Sequence, residues 1–428
     1  MLLVALFLLG ALIALSIPVA GVLGLIGLGM GDYYSTAPLY RGLADITWSN
    51  SIEFLLIAIP LFVFMGELLL RSGIAARMYE ALSVWLAWLP GGLMHTNIGA
   101  SALFAATSGS SVATAATIGT VALPEIEKRR YNPKLFLGTL AAGGTLGILI
   151  PPSINLIIYG LLTNTSVSDL YMAGLIPGLM LATFFSGTIF LSCIVKPNWG
   201  GELVKSSWTE RFQSLPDLLP PIIIFAVVVG SIYAGLATPT EAAAVGVVVA
   251  MLLTLKVGQL NMIMLLHAAQ ATMRTTAMVM LIVFAALYLN FVLGIIGLTQ
   301  ALAEFVSSLG WSPVQMMIAI VIFYLILGCF LETLSMLITT AGLIAPIVIS
   351  LGYDPVWFGA LLMILLEMAL LTPPIGINLY VIQSIRKNGD IRDVIMGTLP
   401  FLVAMLVMVG LMIAFPQIAL FLPNLING

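Results

Sequence analysis

The chain is short of charge. Only 8% of its 428 residues are Asp, Glu, Lys or Arg, where a soluble globular domain carries about 25%. Hydrophobic residues make up 61%. A surface this apolar has lipid, not water, as its solvent. Cysteine is equally scarce. Cys193 and Cys329 both sit in apolar stretches and read as small core residues, which excludes a disulfide framework or a cysteine metal site. Of the two histidines, His95 follows Pro90-Gly91-Gly92 near a helix start and His267 lies on an apolar helix. Neither has a partner by spacing, so capping or packing is expected of them and a catalytic pair is not. No nucleophile–base pair or spaced acid cluster supports an intramembrane enzyme. No polar stretch is long enough for a soluble domain. The longest, Pro197 to Asp217, reads as a linker, and recognition in the aqueous phase is left to another chain.

What is present is length in the apolar runs. Leu2 to Met30, Pro221 to Ala237 and Phe401 to Phe421 are each long enough to cross a hydrocarbon layer of ~30 Å as helices. The first lacks a basic n-region and reads as a structural span, not a signal peptide. Alternation of polar and apolar residues is missing from these runs, so a transmembrane barrel is excluded. The 22 prolines and 40 glycines fall inside apolar stretches, where broken helices are tolerated if they line a cavity.

The punctuation repeats. Pro18 matches Pro239 and Pro124 matches Pro346. Tyr131-Asn132-Pro133 matches Tyr353-Asp354-Pro355, and Pro151-Pro152 matches Pro373-Pro374. Asn155 matches Asn378, Gly174 matches Gly397, and Pro177 matches Pro400. Matching loops differ in charge. Glu127-Lys128-Arg129-Arg130 and Lys134 follow the first hairpin, while Ser350 to Asp354 has no basic residue. In the next loop Thr163 to Asp169 has none, while Arg386, Lys387 and Arg392 cluster. Basic loops stay in the cytoplasm, so the two copies are expected to insert in opposite orientations. Lys196, Lys205 and Arg211 then place the linker inside as well. Inverted repeats mark secondary transporters, with the site near the midplane. The expected fold is an all-α polytopic membrane protein of two inverted-topology repeats. The first covers 1–196, a cytoplasmic linker 197–216, and the second 217–428.

Each repeat holds two polar interruptions. In copy one an apolar stretch is broken by Thr107-Ser108-Gly109-Ser110-Ser111, followed by Thr114 and Thr117. In copy two the break is Glu332-Thr333-Leu334-Ser335, followed by Thr339 and Thr340. The flanking arms, roughly 15 residues each, are short for a full crossing. Re-entrant hairpins are therefore expected over about 92–127 and 313–349. The second interruption is a helix broken at a Pro-Pro pair, over about 134–160 and 356–384. The first proline disrupts the helix before it and the second fits the first turn of the next. The break frees carbonyls on one side and N–H groups on the other. The carbonyls, with Ser, Thr and Asn oxygens, suit a hard cation such as sodium, and the new helix N-terminus suits a carboxylate. A tip beside a break in each repeat predicts two cation sites flanking one anion site. Small residues also allow close helix packing and prolines also merely kink helices, but both elements recur together, in order, in both copies.

Single residues carry alternatives. Glu332, an acid in apolar surroundings, is either part of a cation site or a hairpin-end residue. Arg274 either pairs a substrate carboxylate or snorkels to the cytoplasmic interface near Lys256. Glu241 and Glu367 read as structural. Trp85, Trp88, Trp199, Trp208, Trp311 and Trp357 read as interfacial anchors. Ile74 to Trp88 reads as an amphipathic helix along the membrane surface.

Leu55-Leu56-Ile57-Ala58-Ile59-Pro60-Leu61-Phe62, Ser108-Gly109-Ser110, Gly147-Ile148-Leu149-Ile150-Pro151-Pro152-Ser153, Thr238-Pro239-Thr240-Glu241-Ala242 and Leu371-Thr372-Pro373-Pro374 resemble the DctM-type large membrane subunit of tripartite ATP-independent periplasmic (TRAP) transporters. The resemblance spans essentially the whole chain. It implies a multi-pass protein of the bacterial inner membrane that takes up a small organic anion, a carboxylate or sulfonate, with co-transported sodium. It implies an elevator mechanism, in which hairpins and broken helices form a mobile core within a scaffold. It also implies a small DctQ-type membrane subunit and a soluble periplasmic substrate-binding protein. This chain begins directly with the large-subunit pattern, so the small subunit is expected as a separate polypeptide. By matching position, the first sodium site would use Ser108, Gly109, Ser110, Gly147, Pro151 and Ser153. The second would use Glu332, Thr333, Ser335, Thr372 and Gly376. Thr145, Asn155, Thr340, Asn378 and Arg274 are the candidates for the anion. The chain departs from many relatives in having Thr114 where they carry an acid and Glu332 where they carry Asp. No organic cofactor, metal other than sodium or nucleic-acid partner is expected; membrane lipid surrounds the chain. A stand-alone sodium:anion symporter and an anion channel remain the alternatives.

Overall fold

The computed structural model describes residues 4, 7–8, 10–12, 15, 17–202, 206–386 and 388–427. Much of the first half of the expected opening span, together with Lys205 and Lys387, lies outside the described residues. Regular structure among the described residues is helical. The first part of the chain forms α1 (Val19–Tyr34), α2 (Gly42–Ser51), α3 (Ala58–Arg71), α4 (Ile74–Leu86), α5 (Leu93–Ser108), α6 (Ser111–Ala122), α7 (Pro133–Leu149), α8 (Ile154–Thr163) and α9 (Val167–Val195). A connecting helix, α10 (Trp208–Tyr233), follows. The second part forms α11 (Pro239–Lys256), α12 (Met262–Ile295), α13 (Leu298–Ser308), α14 (Pro313–Gly328), α15 (Thr333–Ser350), α16 (Pro355–Ala369), α17 (Ile377–Ile385), α18 (Ile391–Ala414) and α19 (Gln417–Asn427). Seven described helices are long and apolar enough to cross a membrane, or eight if α7 and α8, bent by 42° at their break, count as one. The chain is a polytopic α-helical membrane protein.

Local chemistry sets the helix starts. Asn132 and Asp354 cap α7 and α16 with their side chains, and Pro133 and Pro355 occupy the first turn. Proline loses nothing there, because the first-turn N–H groups have no partner in the helix. Ser207, Thr238 and Ser312 form capping boxes with Glu210, Glu241 and Gln315. Glu241 is thus a helix-start residue.

The basic segments converge. The Asn132 N–H donates to Trp199 O (3.2 Å) and the Glu202 N–H to Arg129 O (3.0 Å). Lys134 Nζ lies 3.9 Å from Asp393 Oδ1, and Arg386 Nη1 lies 3.2 Å from Asp393 Oδ2. The loop before α7, the linker and the loop before α18 therefore share one end of the molecule. The two basic-free loops also lie near each other, where the Tyr159 hydroxyl donates to Pro355 O at 2.8 Å.

The centre is built on α7, α16 and α18. Leu135 to Leu149 is continuously buried, as is Trp357 to Ala369. Helices α7 and α18 cross backbone to backbone at Gly138 and Gly397. A Cβ on either would collide with main-chain atoms of the other helix. Helix α4 buries Ile74, Ala75, Met78 and Tyr79 and exposes Arg77 and Glu80. A chain of hydrogen bonds ties it to the centre, from Tyr79 through Asn97 to Thr139 (2.7 and 2.8 Å).

Three expectations change. The run Phe401 to Phe421 is two helices, because α18 ends at Ala414 and Pro416 precedes α19. The segment 197–216 is helical from Trp208, where Ser207 and Glu210 supply a complete capping box. Trp357 is a core residue with 1% exposure: its indole N–H is satisfied by Met412 O at 3.0 Å, and its ring stacks on Tyr353.

Gly138→Ala should lower thermal stability by about 1–3 kcal/mol through overpacking. Gly187→Ala, where an added Cβ meets nothing within 4 Å, should be nearly neutral. At the turn before α7, burial pushes the Glu125 carboxyl up, but hydrogen bonds from Arg129 and Lys128 outweigh it and hold the group below its ordinary range. Its contribution is complete above that range and is lost as pH falls through the lowered value. The stability difference between wild type and Glu125→Gln should therefore shrink as pH falls from neutral through the acid range.

Candidate functional site

Helix α5 ends at Ser108, Gly109 adopts φ +60°, and Ser110 starts α6 as its N-cap, accepting from the Ala113 N–H at 3.4 Å. The left-handed conformation at Gly109 favours glycine. It lets the chain reverse within one residue while pressed against the break between α7 and α8. A Cβ on Gly109 would stand 2.8 Å from Pro152 O, and one on Gly147 would stand 2.7 Å from Ser110 C and Ser111 N. The first tip and the first break are thus in main-chain contact. Ser108 and Thr114 hydroxyls lie 3.0 Å apart, Thr114 donates to Ser110 O at 2.8 Å, and Ser111 donates to Thr145 O at 3.2 Å. The hydroxyl at Thr114 is therefore part of the tip itself.

The second tip is organised by a carboxylate. Glu332 caps α15. Its Oε1 accepts from the Leu334 N–H (3.1 Å) and the Thr333 hydroxyl (3.3 Å), and its Oε2 from the Ser335 N–H (3.1 Å) and hydroxyl (3.0 Å). Glu332 thus caps the start of α15 and also lines the cavity between the tips.

Both tips open onto one cavity of ≈ 170 Å³. Among the expected site residues, Ser108, Gly109, Ser110, Asn155, Glu332 and Thr333 line it. Gly147, Pro151, Ser153, Thr145, Ser335, Thr340, Thr372, Gly376 and Asn378 are not among its lining residues, and Leu370 brings the end of α16 to it. Thr340 shares a 2.6 Å hydrogen bond with the Tyr324 hydroxyl, and Thr372 donates to Met368 O at 2.7 Å. Gly376 has φ +37° and starts α17. Arg274 is exposed and does not line the cavity, although its neighbour Thr275 does.

The two asparagines behave differently. Asn378 donates to Ala141 O at 3.2 Å, which joins the second break to α7. Asn155 lines the cavity at 5% exposure, and its Nδ2 has no hydrogen-bond partner. The Ser153 hydroxyl is also buried without a partner and does not cap α8. Orphaned donors and oxygens at such depth are costly unless something comes to satisfy them. Glu67 was not among the expected residues. It faces the cavity from α3, and its signal in the sequence was an acid four residues before Arg71 in an otherwise apolar run. Gly66 beside it allows the approach, since a Cβ there would lie 3.1 Å from Ser108 O.

Paired polar tips, each beside a broken helix inside a multi-pass helical protein, define a membrane permease. The family model for the tripartite ATP-independent periplasmic transporter, DctM component, matches residues 1–418, and the chain belongs to that family. It is 33% identical to the sialic acid TRAP transporter large permease protein SiaM of Vibrio cholerae, over 88% of each chain. It is 34% identical to the C4-dicarboxylate TRAP transporter large permease protein DctM of Rhodobacter capsulatus, again over 88% of each. Its fold is similar to that of the YdaH transporter of Alcanivorax borkumensis, with a TM-score of 0.63 at 16% identity and 89% coverage of both chains. The protein is a TRAP large permease, a multi-pass transporter subunit of the inner membrane and not an enzyme.

Glu332→Ala should destabilise the protein by about 1 kcal/mol, the usual loss on removing an N-cap. Glu332→Gln, which keeps one acceptor oxygen, should lose less. Thermal unfolding in one buffer compares them.

Proposed function

We propose that this permease carries out sodium-coupled uptake of a small organic anion, a carboxylate or sulfonate, delivered by a soluble periplasmic binding protein. A small membrane subunit supports it. The carrying observation is that both tips, from opposite halves of the sequence, open onto one cavity that Asn155, at the start of α8, also lines. The relatives named for sialic acid and C4-dicarboxylates support an organic acid as cargo.

In this reading the two halves are inverted repeats. The matched helices α5/α14, α6/α15, α7/α16, α8/α17 and α9/α18 begin 220 to 224 residues apart. The convergence of the three basic segments at one end favours opposite insertion. The first sodium ion is held by Ser108, Gly109, Ser110, Gly147, Pro151 and Ser153, where contact between tip and break concentrates main-chain oxygens and leaves the Ser153 hydroxyl free. The second is held by Thr333, Ser335, Thr372 and Gly376, with Glu332 ordering the tip. Asn155 and the N-terminus of α8 receive the carboxylate, with Thr145, Thr340 and Asn378 bracing the breaks. Sodium binding orders the tips, and the loaded core then slides against the scaffold as an elevator. Arg274, exposed on α12, serves as a snorkelling residue.

The test needs no substrate. Thermal stability is compared in sodium, potassium and choline at equal ionic strength. A ligand bound only by the folded state adds about 2.7 kcal/mol at a hundredfold excess over Kd. A sodium-specific rise that is weakened in Ser110→Ala and in Thr372→Ala is expected. Equal stability in all three salts would remove the sodium sites and direct attention to a channel. Sodium-driven uptake that needs no binding protein would instead favour a stand-alone symporter.

A further inference from the structure

The two tips and the two breaks interlock across the repeats. The second arm of each hairpin packs on the second half of the other repeat's broken helix, α6 on α17 and α15 on α8. Where α6 meets α17, a Cβ on Gly119 would stand 3.0 Å from Ile382 Cδ1. The hydrogen bonds run the same way. Ser111, the first residue of α6, donates its hydroxyl to Thr145 O at 3.2 Å. Asn378, in the first turn of α17, is fully buried and donates Nδ2 to Ala141 O at 3.2 Å. Its N–H donates across the second break to Leu370 O, also at 3.2 Å. Ala141 and Thr145 are about one turn apart on α7, so the first tip and the second break hold successive turns of one helix. Gly144 stands between the two holds. A Cβ there would lie 2.6 Å from Ala115 Cβ on α6 and 3.1 Å from Asn378 Nδ2. The matching amide is different, since Asn155 Nδ2 has no hydrogen-bond partner. The amide link therefore exists on one diagonal only.

We infer that Asn378 is a positioning residue that couples the second break to the first cation site through the Ala141–Thr145 turn of α7. The inference rests on the two-site sodium reading above and deepens it by naming the link between the sites. Coupling needs a physical element that both sites bias. An ion held at Thr372 and Gly376 fixes the start of α17, and with it Asn378. The amide then holds Ala141 O, on the turn whose next carbonyl, Thr145 O, receives Ser111. Gly147, two residues farther on, is the point where α7 meets the main chain of Ser110 and Ser111. A segment already held in place presents its oxygens without further ordering, and preorganisation of this kind raises affinity. The effect is reciprocal, because a coupling free energy is shared by both sites. Without the amide, each break orders alone.

The test is a sodium titration of the purified permease, with choline replaced by sodium at fixed ionic strength. The slope of folding stability against the logarithm of sodium concentration counts the ions bound by the folded state. Its rise from zero to a plateau therefore traces the binding curve. The wild type should rise steeply, with a Hill coefficient above about 1.5, where two coupled sites allow at most two. Asn378→Ala, and Asn378→Leu, which keeps the size of the side chain without its donor, should remain stabilised by sodium with a coefficient of about 1. Gly144→Ala reaches the same link from the other helix, by pressing on Asn378 and Ala115, and should flatten the curve in the same way. A coefficient of 1 in the wild type, or one unchanged in the Asn378 variants, overturns the inference while sodium-specific stabilisation keeps the proposed function. Complete loss of the sodium effect in those variants also overturns it, because the amide would then belong to a cation site. No sodium effect in the wild type overturns the inference and the sodium reading together.

Discussion

Everything at this site depends on main-chain polar groups being exposed at the depth of a membrane. A helix hides its own N–H and C=O groups, and a break releases them. In lipid such groups are tolerated only against protein or water. The chain meets this constraint by pressing one irregular segment onto another. Gly109 and Gly147 have no side chains, so Ser110 and Ser111 come into contact with the α7 break. Gly66 brings α3 onto the same tip. Any Cβ at these positions would push apart the surfaces that shelter the broken backbone. Asn155 Nδ2, the Ser153 hydroxyl and Asn378 Oδ1 are left buried beside the breaks without hydrogen-bond partners.

The two halves solve the problem with different residues. The first tip is capped by a neutral hydroxyl, Ser110, and the second by a carboxylate, Glu332. The serine tip is closed by hydroxyl bonds that join Ser108 and Ser110 to Thr114. The glutamate tip is held by four donors and is correspondingly set in shape. The asparagines diverge in the same way: Asn378 is committed to Ala141 O, whereas Asn155 faces the cavity.

Much of the framework was legible because breaks in membrane helices require unusual residues. Pro151-Pro152 and Pro373-Pro374 mark the interruptions between α7 and α8 and between α16 and α17, and Asn132-Pro133 and Asp354-Pro355 mark the helix starts after the hairpins. Composition alone announced a membrane protein. What was not legible depends on which helix faces which. Glu67 looks like any acid paired at i+4 until α3 is known to lie against the first tip. Trp357 reads as an interfacial anchor until Met412 O is known to take its N–H. The helical start of the linker was present in Ser207 and Glu210, a local signal outweighed by the polarity of the segment. Glu367, read as structural, is fully buried against the backbone of Ile148 and Leu149 at the end of α7, a placement that depends on packing between helices and has no mark in local sequence.

The distribution of charge follows from the same economy. With so few ionisable groups, nearly every one has a defined task. Basic residues of three segments are gathered at one end, where Lys134, Arg386 and Asp393 join the first half to the second. That end also holds the tightest crossing, between Gly138 and Gly397. The ion pairs are partly exposed and add little energy by themselves. Their position matters more, since they lie one turn before the crossing at which α7 and α18 are held together. The cavity lies away from this fastening, on the other half of α7, beside the break where the helix is no longer continuous. Two close approaches thus sit on one helix little more than two turns apart, Gly138 against α18 and Gly147 against the first tip.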